Sequence, residues 1–295
     1  YALPVITYRP RYVNISSDHP MHMGYEPGAY LPNVDAVLVV DCDVPWIPSL
    51  HELNPDAKVV HIGSDPHFEN YPVRGFPCDL AIRASAGTAL PQLEEAMSSR
   101  EKSAKDRIDA RRKKIADIKG DQAAANQARI EKIASGGAAM DNAWVAHCLG
   151  HLKEDEDVLV SESQLALGNL SLRNPGTFFG TSPAGGLGWG LGAGIGVKLG
   201  DRDRRVWNVV GDGSYMFGNP TPAHFVSSAY DLPVLTVIMN NKMWGSVRKA
   251  TLGLYPEGAA SSANQAPLTY LVPAPEYHKI VEASDGYGEE VKDPA

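Results

Sequence analysis

Apolar residues in this chain come in short runs closed by acidic or glycine-containing turns. Val34-Asp35-Ala36-Val37-Leu38-Val39-Val40 and Ala57-Lys58-Val59-Val60-His61-Ile62 are β-branched and nearly continuous, the pattern of strands buried on both faces of a parallel sheet. They end at Asp41-Cys42-Asp43 and at Gly63-Ser64-Asp65-Pro66, which are turn signals. From about Ser85 to Ser99 the period changes, and Leu90, Leu93, Ala96 and Met97 share one helical face. Residues 1–97 therefore read as half of a doubly wound α/β domain. After residue 135 the alternation resumes. Runs at 157–161, 205–210 and 233–239 read as strands, and 139–149, 188–199 and 220–230 as helices. This predicts a second parallel sheet with helices on both faces, spanning 136–295. Ligands of such sheets bind at the carboxyl ends of the strands.

Between the two units, residues 98–135 shift in composition. Nine basic residues (Arg100, Lys102, Lys105, Arg107, Arg111, Arg112, Lys113, Lys114, Lys119) face four acids (Glu101, Asp106, Asp109, Asp117) from Ser98 to Lys119. A polyanion site and a solvated helical linker both fit, and the linker is the better reading because the whole chain carries −8. The same net charge argues against a nucleic-acid surface. With 43% hydrophobic and 21% charged residues the chain can bury a core. No apolar run approaches a membrane span, and Tyr1-Ala2-Leu3-Pro4 lacks the plan of a signal peptide. The expectation is a soluble, cytoplasmic protein with no membrane partner. Cys42, Cys78 and Cys148 are odd in number and lack metal-ligand spacing, so they read as buried reduced thiols. The start without Met and the end at Pro294-Ala295 suggest a piece of a longer protein.

The unusual residues fall at the predicted strand ends. Val210 runs into Gly211-Asp212-Gly213-Ser214, and the next strand ends in Asn240-Asn241, followed by Lys242-Met243-Trp244-Gly245. Adjacent strands then bring one carboxylate and one or two carboxamides to one edge, an oxygen donor set that suits Mg²⁺. Asn219-Pro220-Thr221-Pro222 reads as a capped helix start whose free N–H groups face the crevice. Ala184 to Gly196 holds seven glycines in thirteen residues, which implies close backbone packing or a ligand. Taken singly, Gly-Asp-Gly-Ser is a common turn and Asn-Asn a loop opener. Gly188-Trp189-Gly190-Leu191-Gly192-Ala193 also fits the GxGxxA fingerprint of an NAD-binding oxidoreductase domain, a scheme that leaves Asn240-Asn241 unexplained.

Gly211-Asp212-Gly213, then 26 residues, then Asn240-Asn241 resembles the thiamine-diphosphate motif. The similarity continues through Arg173 to Phe179, the Ala184 to Gly196 run, Ile238 to Asn241, and a late helix from Glu276-Tyr277-His278 to Gly286-Tyr287-Gly288. Together these resemble the acetolactate synthase, benzoylformate decarboxylase and pyruvate decarboxylase superfamily. The implied fold is a thiamine-diphosphate-binding domain, C-terminally incomplete, preceded by part of a Rossmann-like middle domain. The resemblance implies that Asp212, the Asn241 side chain and the Met243 carbonyl hold Mg²⁺. It also implies that Gly213, Ser214, Gln164 and Leu165 contact the diphosphate. Leu187 would bend the cofactor into its V form, and the Gly185 carbonyl would accept a bond from the aminopyrimidine. The implied reaction is decarboxylation of a 2-oxo acid or carboligation, with the thiazolium as electron sink.

In that family the activating glutamate sits in an N-terminal domain of another subunit, so a homodimer or homotetramer with shared sites is expected. The chain alone is expected to be inactive, because it lacks the pyrimidine-binding domain. A non-catalytic, assembly-only relative is the other alternative. His19, in Asp18-His19-Pro20-Met21-His22-Met23-Gly24, resembles the loop that carries an active-site histidine in benzoylformate decarboxylase and is the candidate acid/base. The gap-free match over Gly185–Leu191 favours the decarboxylase branch. Val39 to Trp46 lacks the Arg-Phe-Asp-Asp pattern that binds FAD in acetolactate synthases, so no FAD is expected.

Overall fold

The computed structural model describes residues 1–163, 165–181, 185–262 and 266–294. The chain divides into two compact units, Tyr1–Tyr8 with Pro20–Ala123, and Arg9–His19 with Ala124–Ala295.

In the first unit, β1 (Ala36–Val40), β2 (Lys58–Gly63) and β3 (Leu80–Arg83) form a parallel sheet in the order β1-β2-β3. The two long apolar runs are β1 and the central strand β2. Val39 and Val59 pack with Leu31 and Trp46 into its core. The short β3 is mostly exposed, with a burial pattern that alternates too little to be read from the sequence. Helix α1 (Ala86–Ser98) starts at Ser85, whose hydroxyl accepts the Thr88 N–H at 3.3 Å, an N-cap.

Helix α2 (Glu101–Ala134) covers the basic segment, and the division between the units falls within it. Its buried positions are Ile108, Ile115, Ile130 and Ile133, whereas most of its basic side chains are exposed. No helix among the described residues is long and apolar enough to cross a membrane.

The second unit opens with α3 (Asn142–Leu152), capped by Asp141, whose Oδ1 accepts from the N–H groups of Ala143 and Trp144. Next come β4 (Val158–Glu162), β5 (Phe178–Gly180), α4 (Trp189–Gly200) and β6 (Val206–Gly211). Then follow α5 (Asp212–Phe217), α6 (Pro220–Ala229), β7 (Leu235–Met239), α7 (Gly245–Leu254), α8 (Ala259–Ser262) and α9 (Tyr277–Glu282).

All four strands are parallel, in the order β5-β4-β6-β7. Burial on both faces explains their unbroken apolar runs. Leu159 and Val209 face a cluster with Ala146 and Leu149 of α3. Val158, Val160 and Val206 face the opposite side, against Ala193 and Val197 of α4. The fold is thus α/β with parallel sheets only.

Phe178–Gly180 forms a short strand outside the runs that the sequence pattern marks, and two local expectations change. The late helix α9 stops at Glu282, where Ala283 caps it, rather than continuing to Gly288. At the start of α6, Asn219 sits at φ 53° and makes no side-chain cap. With prolines at 220 and 222, that terminus offers fewer free N–H groups than the sequence suggested.

Strand order reverses between β4 and β6, since β5 lies on one side of β4 while β6 and β7 lie on the other. The carboxyl ends of β4 and β6 therefore flank a topological switch point, where ligands of open α/β sheets bind.

Candidate functional site

Three features meet at that edge. Glu162 ends β4. Its Oε1 accepts the Gly188 N–H at 2.6 Å, and its Oε2 accepts the Gly190 N–H at 2.5 Å, so the carboxylate satisfies two N–H groups in the first turn of α4. Glu162 carried no signal in the sequence beyond its place at a strand end. It bears directly on the dinucleotide reading, because the N–H groups that would cradle a pyrophosphate are already bonded to an internal anion.

The glycines around it have separate reasons. Gly188 takes φ +84°, and a Cβ there would lie 2.7 Å from the Gly218 backbone. A Cβ on Gly190 would lie 2.7 Å from Val210 Cγ1. The run is thus close packing between α4, β6 and the end of α5.

The second feature is Asp212, which follows β6 directly and is 2% exposed. Its Oδ1 accepts the Gly213 N–H at 2.9 Å, and its Oδ2 accepts the Met243 N–H at 3.2 Å. Burial pushes the Asp212 carboxyl up from its ordinary value, and the N–H groups of Gly213, Lys242 and Met243 offset that only in part. No lysine or arginine pairs with it among the described residues. A buried carboxylate without a counter-cation is a costly group unless something positive joins it.

The third feature is the loop after β7. Gly211 pairs in register with Met239, so the adjacent strands end level and deliver their following residues to one place. Asn241 Oδ1 accepts the same Met243 N–H at 3.1 Å, which brings the Asn241 carboxamide oxygen and the Asp212 carboxylate onto a shared donor. Asn240 Oδ1 holds the loop by accepting the Lys242 N–H at 3.2 Å, and Lys242 takes φ 60°. Met243 bridges Tyr270, and its carbonyl accepts the Gly245 N–H at 2.9 Å. The Trp244 indole lies over Gly213, where a Cβ would come within 2.6 Å of Cε3. Ser214 is buried beside Asp212. No group of three His, Cys, Asp or Glu able to hold a metal exists among the described residues. The donor set at this edge is carboxylate, carboxamide and backbone carbonyl.

The family model described as thiamine pyrophosphate enzyme, C-terminal TPP binding domain, matches residues 160–295. Benzoylformate decarboxylase of Pseudomonas aeruginosa is 35% identical over 79 residues, 27% of this chain and 14% of that protein. The acetolactate synthase isozyme 3 large subunit of Escherichia coli is 27% identical over 281 residues, 93% of this chain and 46% of the relative. Residues 160–295 thus match the C-terminal TPP-binding domain of thiamine pyrophosphate enzymes, and the chain as a whole is similar in sequence to an acetolactate synthase large subunit. A solved structure, the thiamine diphosphate-dependent 4-hydroxybenzoylformate decarboxylase of Rhodococcus jostii RHA1, shares the fold. Its TM-score is 0.66 at 19% identity, over 99% of this chain and 52% of that one. The chain thus spans about half the length of these two relatives.

Among the other residues singled out in the sequence, Gly185 takes φ +63° and Leu187 is 39% exposed, both in the loop that enters α4 at this same edge. Leu165 differs, because its side chain belongs to the core with Leu159 and Phe178 and its carbonyl accepts the Leu167 N–H. Only its backbone is left to meet a ligand. Gln164 lies outside the described residues.

His19 is not brought to the site within this unit. Its neighbour Asp18 pairs with Arg173, which also pairs with Asp155 just before β4. The turn bearing the exposed His19 therefore sits at the amino ends of the strands, the edge opposite Asp212. A loop histidine is positioned by tertiary contacts that spacing does not encode.

Proposed function

We propose that this chain holds the Mg²⁺ and diphosphate half of a thiamine-diphosphate site in an enzyme that cleaves or forms a C–C bond beside the carbonyl of a 2-oxo acid. The observation that carries the reading is the buried Asp212 carboxylate, which converges with Asn241 on the Met243 N–H and has no lysine or arginine partner among the described residues.

The residues present fit the group. Asp212 Oδ and Asn241 Oδ1 supply two hard oxygens, and the Met243 carbonyl has a second lone pair for a third. A divalent cation there would stabilise the ionised form of Asp212 against its burial. Gly213 lets the backbone approach a diphosphate, and Ser214 adds a hydroxyl. Gly185 and Leu187, on the loop that Glu162 steadies, are the residues that would hold the aminopyrimidine and support the cofactor's rings. When bound, thiamine diphosphate supplies a carbon nucleophile and an electron sink. This chain's residues would anchor and orient it.

The activating glutamate is proposed to come from a pyrimidine-binding domain on a partner subunit in a homodimer or homotetramer. Decarboxylation is favoured over carboligation by the gap-free Gly185–Leu191 match, and FAD is not part of the proposed site. His19 is proposed as an acid/base only if it serves a site other than the one at Asp212 of its own unit.

Calorimetric titration with thiamine diphosphate and Mg²⁺ tests the site. Metal-dependent binding that is lost in Asp212→Ala is expected, and tight NAD binding without metal would overturn the reading. Product analysis with pyruvate and with benzoylformate, on an assembly that includes the pyrimidine-binding domain, tests the reaction. Aldehyde is the expected product, and acetolactate without free aldehyde would place the protein on the carboligase side.

A further inference from the structure

Helix α3 carries two histidines that the site at Asp212 does not use. Ala143, Ala146 and Leu149 are its buried residues, and Ala146 and Leu149 pack in the cluster of Leu159 from β4, so the helix is a fixed support. His147 and His151 are four residues apart on it, which places them one above the other on one face. His151 is exposed and His147 half-buried, so solvent and small ions reach the pair.

The two imidazoles already stand together. Their ring centroids lie 4.2 Å apart at 59°, and Trp144 flanks His147 with its ring centroid 5.6 Å away. His151 Nδ1 lies 2.8 Å from the His147 carbonyl oxygen. A carbonyl only accepts, so Nδ1 carries the hydrogen and Nε2 keeps its lone pair. Metal-bound histidines have this arrangement, in which the second ring nitrogen donates to a backbone carbonyl and fixes tautomer and ring orientation. Two imidazole nitrogens that share an ion at about 2.0–2.1 Å stand about 3 Å from each other, a separation that these rings allow. Helices with the His-Glu-x-x-His pattern present two zinc ligands at the same spacing. Cys148 points about 100° round the helix from His147. No third His, Cys, Asp or Glu completes a group there among the described residues, which leaves the remaining positions on an ion to water.

We infer that His147 and His151 form a two-imidazole site for a divalent transition-metal ion of the Ni²⁺, Cu²⁺ or Zn²⁺ class. Imidazole suits these ions, whereas Mg²⁺ takes oxygen donors such as those at Asp212. The inference is independent of the proposed function.

Calorimetric titration of the full chain with Ni²⁺, on protein free of tag histidines, reads the site. One tight Ni²⁺ per chain is expected, and excess Mg²⁺ should not displace it. His151→Ala should weaken binding about tenfold or more, because the second imidazole of a pair binds as an intramolecular group, and His147→Ala should do the same. The exposed His151 is the decisive position, since its truncation removes no buried contact, and circular dichroism checks that the fold persists. Wild type that binds no Ni²⁺, equal Ni²⁺ affinity in wild type and His151→Ala, or Ni²⁺ displaced by Mg²⁺ overturns the inference. Each of these leaves the proposed function standing, because that reading is tested by thiamine diphosphate and Mg²⁺ at Asp212.

Discussion

Helix α4 carries alanine tests of opposite sign within two turns. Gly190 and Gly194 face β6 and are buried, whereas Gly192 and Gly196 face outward and are exposed. A Cβ on Gly190 would lie 2.7 Å from Val210 Cγ1, 3.0 Å from Glu162 Oε2 and 3.2 Å from Asn208 Oδ1. Replacing glycine by alanine inside a helix gains about 1 kcal/mol of propensity. Forcing a methyl into that space costs about 1–3 kcal/mol. Displacing Glu162 from the Gly190 N–H adds about 1.5–3 kcal/mol. The packing terms win, and Gly190→Ala is expected to lower stability by about 1.5–5 kcal/mol. At Gly192 and Gly196 a Cβ meets nothing within 4 Å, so only propensity remains. Each alanine there is expected to raise stability by about 0.5–1 kcal/mol. Urea unfolding of the full chain measures both, with the m-value held constant as the check on comparability. Gly190→Ala as stable as wild type, or Gly192→Ala and Gly196→Ala both destabilising, would refute the packing account of the glycine run.

Glu162→Ala strips the acceptor from the N–H groups of Gly188 and Gly190 and should cost about 2–4 kcal/mol in the same assay, with Glu162→Gln costing less; melting indistinguishable from wild type would show that the bonds carry nothing. Asp157 is buried and held by Arg205, the Trp207 indole N–H and the Glu154 N–H. Burial pushes its carboxyl up, but the Arg205 pair and the N–H donors outweigh that, and the net shift is downward. A depressed folded pKa makes the contribution full above the unfolded value near ~3.9 and lost as pH falls through the folded one. Asp157→Asn should therefore lose about 1–3 kcal/mol at neutral pH and converge on wild type in acid, as read from unfolding at pH 7 and near ~2; a constant gap down to the lowest pH would contradict this. Lys198 Nζ is buried and donates to the carbonyls of Arg202 at 2.5 Å and Arg204 at 2.7 Å. Lys198→Met should lower the melting temperature through about 1.5–3 kcal/mol, and an unchanged melt would remove that anchor from the account.

The parts legible from sequence were those with strong periodicity or fixed spacing. Both long runs of the first sheet, the three apolar runs of the second, and the level ends of β6 and β7 that carry Asp212 and Asn241 follow from unbroken β-branched stretches with turn signals behind them. The exposed β3 and the three-residue β5 carry almost no pattern, because edge strands need little burial. The glycine run showed that close approach was needed, but its partners, Glu162, Val210 and Gly218, come from elsewhere in the chain. Glu162 is one acid among many until β4 and α4 are placed side by side. His19 matched a local pattern while its surroundings, set by Asp18, Arg173 and Asp155, place it elsewhere.

The central claim is that Asp212 and Asn241 form the metal end of a thiamine-diphosphate site. Its most direct test is calorimetric titration of thiamine diphosphate into wild type and Asp212→Ala, each with and without Mg²⁺. Binding by wild type only when Mg²⁺ is present, abolished in Asp212→Ala while the variant's fold persists by circular dichroism, is the predicted result. Binding of equal strength in wild type and Asp212→Ala, or binding indifferent to Mg²⁺, would contradict it.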